Sequence, residues 1–125
     1  MAAPIRILLV EDNAVFREAL ELAFSQTDEV QVVASVDNGN EAVAACVAHE
    51  PDVVLMDYRL PGLDGVQATS AVREMAPGVA VVCLTGEANA REVEALYEAG
   101  AADCVTKDQA LETIVDAIRR AAGRG

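Results

Sequence analysis

Carboxylates, a hydroxyl and an ammonium group each follow an apolar run of this sequence. They belong to Glu11, Asp12, Asp57, Thr85 and Lys107. The carboxyl ends of parallel strands share one sheet edge, so these groups can meet there. Clustered carboxylates repel one another unless a cation joins them, and oxygen ligands suit Mg²⁺, with Mn²⁺ as a substitute. An added lysine and hydroxyl suit an anion. The set therefore describes a phosphoryl-transfer site with Asp57 as the nucleophile.

Each of these residues also has a simpler interpretation when taken alone. The Glu11-Asp12 pair and Asp57 could cap the helices that follow them. Thr85 could be an ordinary turn residue, and Lys107 a solvated lysine near a helix start. The hypothesis of a joint site depends on all five residues lying at strand ends in one topology.

Apolar runs and turn residues divide the chain into ten alternating elements. Strands are predicted at residues 5–10, 30–36, 53–56, 79–84 and 102–106. Helices are predicted at residues 13–25, 38–49, 64–75, 89–99 and 108–121. Such alternation predicts a parallel sheet with right-handed crossovers and helices on both faces.

Local patterns predict how the helices begin and which faces they bury. Capping pairs spaced three residues apart are Asn38 with Glu41, Asp64 with Gln67, and Asn89 with Glu92. We expect Asp108 to cap the last helix. The predicted apolar stripe of the first helix is Val15, Ala19, Leu22 and Ala23, and that of the last helix is Leu111, Ile114, Val115 and Ile118.

The acidic composition limits the partners of this chain. Its 125 residues carry a formal net charge of -12, and 53% of them are hydrophobic although only 3% are aromatic. Phosphates would repel such a domain, which argues against direct binding to DNA or to an anionic membrane. We expect no secretory signal and no membrane-spanning segment, and hence a cytoplasmic location.

Three cysteines, Cys46, Cys83 and Cys104, are an odd number without CxxC spacing. They are interpreted as buried, reduced thiols rather than as a metal site or a disulfide. His49, the single histidine, is expected at the surface, away from the strand ends.

Motifs around the predicted strand ends resemble the receiver domain of two-component response regulators over essentially the whole chain. They are LLVEDN at 8–13, MDYRLPGLDG at 56–65, LTG at 84–86 and Lys107. The loop after Asp57 and the GAA at 100–102 are most similar to the NarL/LuxR-type group. The resemblance implies one receiver domain over residues 1–125, either alone or as the N-terminal part of a longer regulator. It also implies a flavodoxin-like (βα)5 three-layer sandwich with strand order 2-1-3-4-5.

The resemblance implies a role for each residue of the site. A sensor histidine kinase phosphorylates Asp57, which becomes a 4-aspartylphosphate. Lys107 and Thr85 bind phosphoryl oxygens, and Gly86 leaves room for the group. The Mg²⁺ ligands implied are the carboxylates of Glu11, Asp12 and Asp57 and the backbone carbonyl of Arg59.

The resemblance also implies a signalling output rather than turnover of a substrate. Phosphorylation should move Thr85 and Lys107, and with them the face formed by helix 89–99 and the fifth strand. That face would control an output such as transcription and could form a homodimer. DNA would be bound only by an output domain that this chain does not contain, and no membrane contact is expected.

Two positions depart from the family pattern. Cys104 stands three residues before Lys107, where an aromatic switch residue coupled to Thr85 is usual, and it is expected on the opposite side of the strand from Lys107. A small buried thiol is a simpler interpretation of Cys104 than a redox role. Asp108 replaces a common proline. An ion pair between Arg59 and Glu87 across the mouth of the site is a further hypothesis.

Two other functions compete with a phosphoaccepting switch. A phosphatase of the haloacid-dehalogenase kind also uses a strand-end aspartate and Mg²⁺, but needs a second acid where this chain has Arg59. A pseudo-receiver would act as an unphosphorylated binding module. The complete set of five site residues argues against it, whereas Cys104 and Asp108 leave it open.

Overall fold

A computed structural model describes residues 3–86 and 89–124. Strands β1–β5 span Ile5–Val10, Val30–Val36, Val53–Asp57, Ala80–Thr85 and Asp103–Thr106. Helices α1–α5 span Ala14–Ser25, Gly39–His49, Gly65–Met75, Ala90–Ala99 and Leu111–Ala121. All ten predicted elements are confirmed, although β4 and β5 each begin one residue later than expected and α5 begins three residues later. None of the helices in these ranges has the length and apolar character needed to cross a membrane.

The sheet is parallel throughout, with the predicted strand order β2-β1-β3-β4-β5. The central strand β3 is buried along its whole length, because helices cover both of its faces. The strand order reverses between β1 and β3. In folds of this kind ligands bind at such a point, beside the carboxyl ends of the strands.

Alternating side chains of the strands supply two separate hydrophobic cores. On β1, Leu8 and Val10 pack in one core with residues of α2, α3 and α4. Ile7 and Leu9 point the other way and pack with residues of α1 and α5. Because successive side chains of a strand point to opposite faces, the sheet buries apolar residues under helices on both sides. The predicted three-layer sandwich is thus confirmed.

Most predicted helix caps are confirmed. Asp64 and Gln67 form a complete capping box, and Asn89 accepts hydrogen bonds from two backbone N–H groups at the start of α4. Asn38 accepts from the backbone N–H of Glu41, whereas the Glu41 carboxylate binds the side-chain amide of Asn38 rather than its backbone.

The prediction that Asp108 caps α5 is wrong. That helix begins after Ala110, whose methyl side chain cannot accept a hydrogen bond. Asp108 lies two residues earlier in a turn, where its carboxylate accepts the hydroxyl hydrogen of Thr106. The Thr106 contact occupies one of the two oxygens of this carboxylate.

The predicted apolar stripe of α1 is also largely wrong. Val15, Ala19 and Leu22 are exposed, and only Ala23 is partly buried. The buried face is instead formed by Leu20 and Phe24. Apolar residues occur on more than one side of α1, so periodicity alone allowed two rotational settings. The stripe predicted for α5 is confirmed, except that Leu111 is 38% exposed.

This corrected orientation of α1 predicts unequal effects for two leucines that lie two residues apart. Leu20 is 5% exposed and Leu22 is 66% exposed. Leu20→Ala should lower the free energy of unfolding by about 2–5 kcal/mol, because it leaves a cavity. Leu22→Ala should change it by less than about 0.5 kcal/mol. Urea unfolding followed by circular dichroism measures both, and equal losses would contradict the orientation.

Candidate functional site

Four of the five strands deliver polar side chains to one edge of the sheet. The ends are level because Val10 pairs with Met56, Asp57 with Leu84, and Thr85 with Thr106. Glu11 and Asp12 therefore follow β1 beside Asp57, the last residue of β3. Thr85 ends β4, and Lys107 follows β5. The predicted convergence of all five residues is thus present in the fold.

The acidic part of this site consists of two buried carboxylates and one exposed carboxylate. Glu11 is 0% exposed and Asp57 is 4% exposed, whereas Asp12 faces solvent. One oxygen from each of the three lies within 4.8 Å of the others. The backbone N–H of Asn13 donates to Glu11 Oε2 at 3.1 Å, and that of Arg59 lies 3.4 Å from Asp57 Oδ1.

The ammonium group of Lys107 lies between the two buried carboxylates. Its Nζ is 2.6 Å from Glu11 Oε1 and 3.1 Å from Asp57 Oδ2. The same nitrogen lies 4.9 Å from the centre of the Phe16 ring, which adds a cation–π contact from α1. The backbone N–H of Lys107 donates to the carbonyl of Thr85 at 2.8 Å. The lysine is therefore held by both its side chain and its backbone.

Burial and charge act in opposite directions on the ionisable groups of the site. The pKa of Glu11 is raised, first by burial and next by its hydrogen bond with Asp57, and the contact with Lys107 only partly offsets this. For Lys107, burial by itself lowers the pKa, but the contacts with Glu11 and Asp57 together raise it. Lys107 therefore remains an ammonium near neutral pH.

The three carboxylates fit a divalent cation. Glu11 and Asp57 are buried side by side, and Asp12 brings a third acid from the solvent side. A hard cation such as Mg²⁺ prefers oxygen ligands and usually keeps several waters. The exposed position of Asp12 leaves an open side for those waters. The donor set thus agrees in type and spacing with a Mg²⁺ site.

Thr85 and Gly86 are placed beside Asp57 as the sequence predicts. Thr85 is buried at the end of β4, and the neighbouring strand β3 ends at Asp57. Among residues 3–86 and 89–124, and apart from Gly86 and its chain neighbours, no heavy atom lies within 4 Å of the position that a Cβ would take at Gly86. These described residues therefore leave space beside Gly86.

Sequence reasoning missed two residues that shape the site. Phe16 supports the ammonium of Lys107, and its place three residues after Asn13 was the only available signal. Gly65 is the first residue of α3. Its N–H donates to the carbonyl of Tyr58 at 2.7 Å, and a Cβ at Gly65 would lie 2.7 Å from the Cα of Tyr58. Only glycine lets α3 begin so close to the end of β3.

Three further predictions concern the ion pair of Arg59 and the positions of His49 and Cys104. Glu87, the predicted ion-pair partner of Arg59, lies outside the described residues. The exposed Arg59 guanidinium lies 4.0 Å from Glu92 at the start of α4. His49 is exposed at the far end of α2, as predicted. Cys104 packs with the α2–α4 core, away from the Phe16 side that holds Lys107, although it is half-buried rather than fully buried.

Comparison with known proteins identifies the class to which this fold and site belong. Residues 7–119 match the sequence model of the response regulator receiver domain. The chain belongs to this family, and it is a receiver domain of the two-component response-regulator type.

Individual relatives place the chain near the LuxR-type regulators. The transcriptional regulatory protein NarL of Mycobacterium tuberculosis is 35% identical over 114 residues, covering 91% of this chain and 53% of that protein. GacA of Pseudomonas viridiflava is 36% identical over 115 residues, covering 92% and 54%. The signal receiver domain structure of M. tuberculosis NarL superimposes with a TM-score of 0.93 at 34% identity, covering 98% of each chain. The chain spans about half the length of the curated relatives it matches.

The geometry predicts competition between Lys107 and a divalent cation for the same carboxylates. Lys107→Met should lower the free energy of unfolding in EDTA by about 3–5 kcal/mol, because the buried Glu11 and Asp57 lose their counter-charge. Mg²⁺ should then raise the melting temperature of the variant more than that of the wild type, since no ammonium opposes its binding.

Thermal melts with EDTA and with Mg²⁺ test this prediction. Arg91→Met is the matched control, because it removes a cation from the exposed surface of α4. Its Mg²⁺-induced shift should equal that of the wild type. A Mg²⁺ shift in Lys107→Met no larger than the wild-type shift would refute the competition.

Proposed function

We propose that Asp57 is the phosphoacceptor of this receiver domain and that a sensor histidine kinase is its donor. The observation that supports this most is the position of the Lys107 ammonium, which touches both Asp57 and Glu11 at the open edge of the sheet. A cation in that position can neutralise an incoming phosphoryl group. The family membership of the chain supports the same role.

In the proposed reaction a carboxylate oxygen of Asp57 attacks the phosphorus of a phosphohistidine. The P–N bond breaks, its electron pair stays on the imidazole nitrogen, and Asp57 becomes a 4-aspartylphosphate. Glu11, Asp12, Asp57 and the backbone carbonyl of Arg59 are the proposed ligands of Mg²⁺, with Mn²⁺ as a substitute. When bound, that ion would offset charge on the phosphoryl oxygens.

Lys107 and Thr85 are the proposed partners of the transferred group. Lys107 is already charged and held at the site, so it can pair with a phosphoryl oxygen without moving far. Thr85 can donate its hydroxyl to a second oxygen. The backbone bond between Lys107 and Thr85 couples their two strands, so that a shift of one is passed to the other.

The α4–β5–α5 face is the proposed output surface. Asp103 on β5 accepts a hydrogen bond from the Tyr97 hydroxyl of α4 at 3.2 Å and pairs with Arg120 of α5 at 2.9 Å. One carboxylate thus ties three elements together beside the strand that leads to Lys107. A small displacement of β5 would disturb both contacts, and Thr85 and Cys104 are the proposed switch positions.

We further propose that this domain controls transcription through an output domain that binds DNA. The named relatives include a transcriptional regulatory protein, NarL, and they are about twice as long as the matched region. Residues 1–125 would form the receiver, in the cytoplasm with its kinase, and phosphorylation could favour a homodimer. The domain would act as a signalling element rather than as an enzyme with a free substrate, because an exposed arginine, Arg59, stands where a phosphatase needs a second acid.

Intact-protein mass after incubation with acetyl phosphate tests the acceptor. The wild type should gain the mass of one phosphoryl group with Mg²⁺ and little without it, whereas Asp57→Asn should gain none. Asp116→Asn, which removes an exposed carboxylate on α5, is the control and should behave as the wild type. No gain in a protein with an intact circular dichroism spectrum would favour the pseudo-receiver.

A second experiment separates phosphoryl acceptance from switching. Thr85→Ala should still be phosphorylated on Asp57, but it should lose the phosphorylation-dependent change in hydrogen exchange of α4 and β5. Thr85→Ser keeps the hydroxyl and should retain that change. If Thr85→Ala switches as well as Thr85→Ser, the hydroxyl has no part in the transmission.

A further inference from the structure

The parallel register places two cysteines side by side on neighbouring strands. Cys83 of β4 pairs directly with Cys104 of β5, and their side chains share the face that packs in the α2–α4 core. Neighbouring strands are about 4.8 Å apart. Disulfides join residues whose Cα atoms are roughly 4.4–6.8 Å apart. The Cα separation of the pair therefore falls within the range found in disulfides.

The two thiols have different surroundings. Cys83 is completely buried, and its sulfur lies 3.7 Å from the Thr69 hydroxyl of α3. Cys104 is half-buried, and its thiol neighbours that of Cys83 and the hydroxyl of Tyr97. The interaction between the two thiols raises the pKa of Cys83 and lowers that of Cys104. The more accessible sulfur is thus also the one that ionises more readily, as expected of a reactive cysteine.

Cys46 provides an internal contrast. It lies on α2, buried in the same core, and burial raises the pKa of its thiol to about 11. The register that joins the other two cysteines does not involve it. An oxidant that enters from the surface should therefore discriminate between Cys46 and Cys104.

We propose that Cys104 is a modification site for hydrogen peroxide and that Cys83 is its resolving thiol. The Cys104 thiolate attacks one peroxide oxygen, the O–O bond breaks, and hydroxide leaves and takes up a proton to give water. The Cys83 sulfur then attacks the sulfenic sulfur of Cys104, the S–O bond breaks, and water leaves with the thiol proton of Cys83. Both sulfurs are oxidised by one electron each, and one peroxide is reduced to two waters.

A disulfide between directly paired residues of a parallel sheet must draw the two Cβ atoms closer than the strand spacing, to roughly 3.8 Å. Such a bond is strained, and strained disulfides are readily reduced. We therefore expect a reversible modification that a dithiol such as dithiothreitol removes.

The bond would also constrain the strands that carry the phosphoryl partners. Cys83 lies two residues before Thr85, and Cys104 lies three residues before Lys107. Oxidation should therefore hinder the movement of these two side chains toward a phosphoryl group. This regulatory consequence rests on the proposed function, whereas the modification itself does not.

Peptide mapping after peroxide treatment tests the modification. The protein is oxidised with equimolar hydrogen peroxide, unfolded, alkylated with iodoacetamide and digested without reductant. We expect a peptide that links Cys83 with Cys104, alkylated Cys46, and loss of the link after dithiothreitol. Cys46→Ser should form the link as the wild type does, and Cys104→Ser should not.

The order of the two steps is tested with Cys83→Ser, and with Cys83→Ala should the serine variant fail to fold. Either variant should accumulate a sulfenic acid on Cys104 that dimedone traps, whereas Cys104→Ser should trap none on Cys83. Three alkylated cysteines in the oxidised wild type, a link between two chains, or overoxidised Cys104 in place of the link would overturn the proposal.

The regulatory consequence is measured as the rate of phosphorylation by acetyl phosphate. The oxidised wild type should be phosphorylated severalfold more slowly than the reduced wild type, while peroxide should leave the rate of Cys104→Ser unchanged. Equal rates in the linked and reduced protein would overturn the regulatory role. Failure of the reduced protein to gain any phosphoryl group would overturn the proposed function alone, because the peptide map does not depend on Asp57.

Discussion

The contact of one ammonium group with two buried carboxylates is the constraint on which the site depends. Glu11 and Asp57 are almost inaccessible to water, and two adjacent charges there would be costly without a partner. Lys107, which follows the edge strand β5, supplies that partner, with its ammonium 2.6 Å from Glu11 and 3.1 Å from Asp57. The same arrangement that stabilises the fold therefore leaves Asp57 poised beside a cation that can accept a second anion.

This contact needs a backbone that brings strands distant in sequence to the same level. The parallel order places β1 beside β3 and carries β5 to the far edge, two strands away from Asp57. The long side chain of Lys107 spans that distance and crosses Phe16 on the way. A shorter cation at position 107 could not reach both carboxylates, so the sheet order and the choice of lysine are physically linked.

The strands and the site residues could be predicted because their signals are local and chemically distinct. Buried strands appear as continuous apolar runs, and each acid or lysine at their ends interrupts such a run. The rotation of α1 could not be predicted, since Val15 and Leu22 are as apolar as Leu20 and only tertiary packing decides between them. The prediction that Asp108 caps α5 was wrong for a related reason. Thr106 offers its carboxylate another partner, which the position of Asp108 in the sequence does not reveal.

The thiol pair marks a different limit of sequence reasoning. Cys83 and Cys104 are 21 residues apart in the sequence, with a helix between them. Together with Cys46 they make an odd number of cysteines, which favoured the interpretation as isolated thiols. Only the β4–β5 register shows that they are neighbours. Strands β4 and β5 therefore hold two pairs of reactive groups: the thiols of Cys83 and Cys104 within the sheet, and the Thr85 hydroxyl and Lys107 ammonium at its carboxyl edge. Since the backbone N–H of Lys107 donates to the carbonyl of Thr85, a change in β4–β5 spacing at the cysteines would reach the strand ends that carry these two residues.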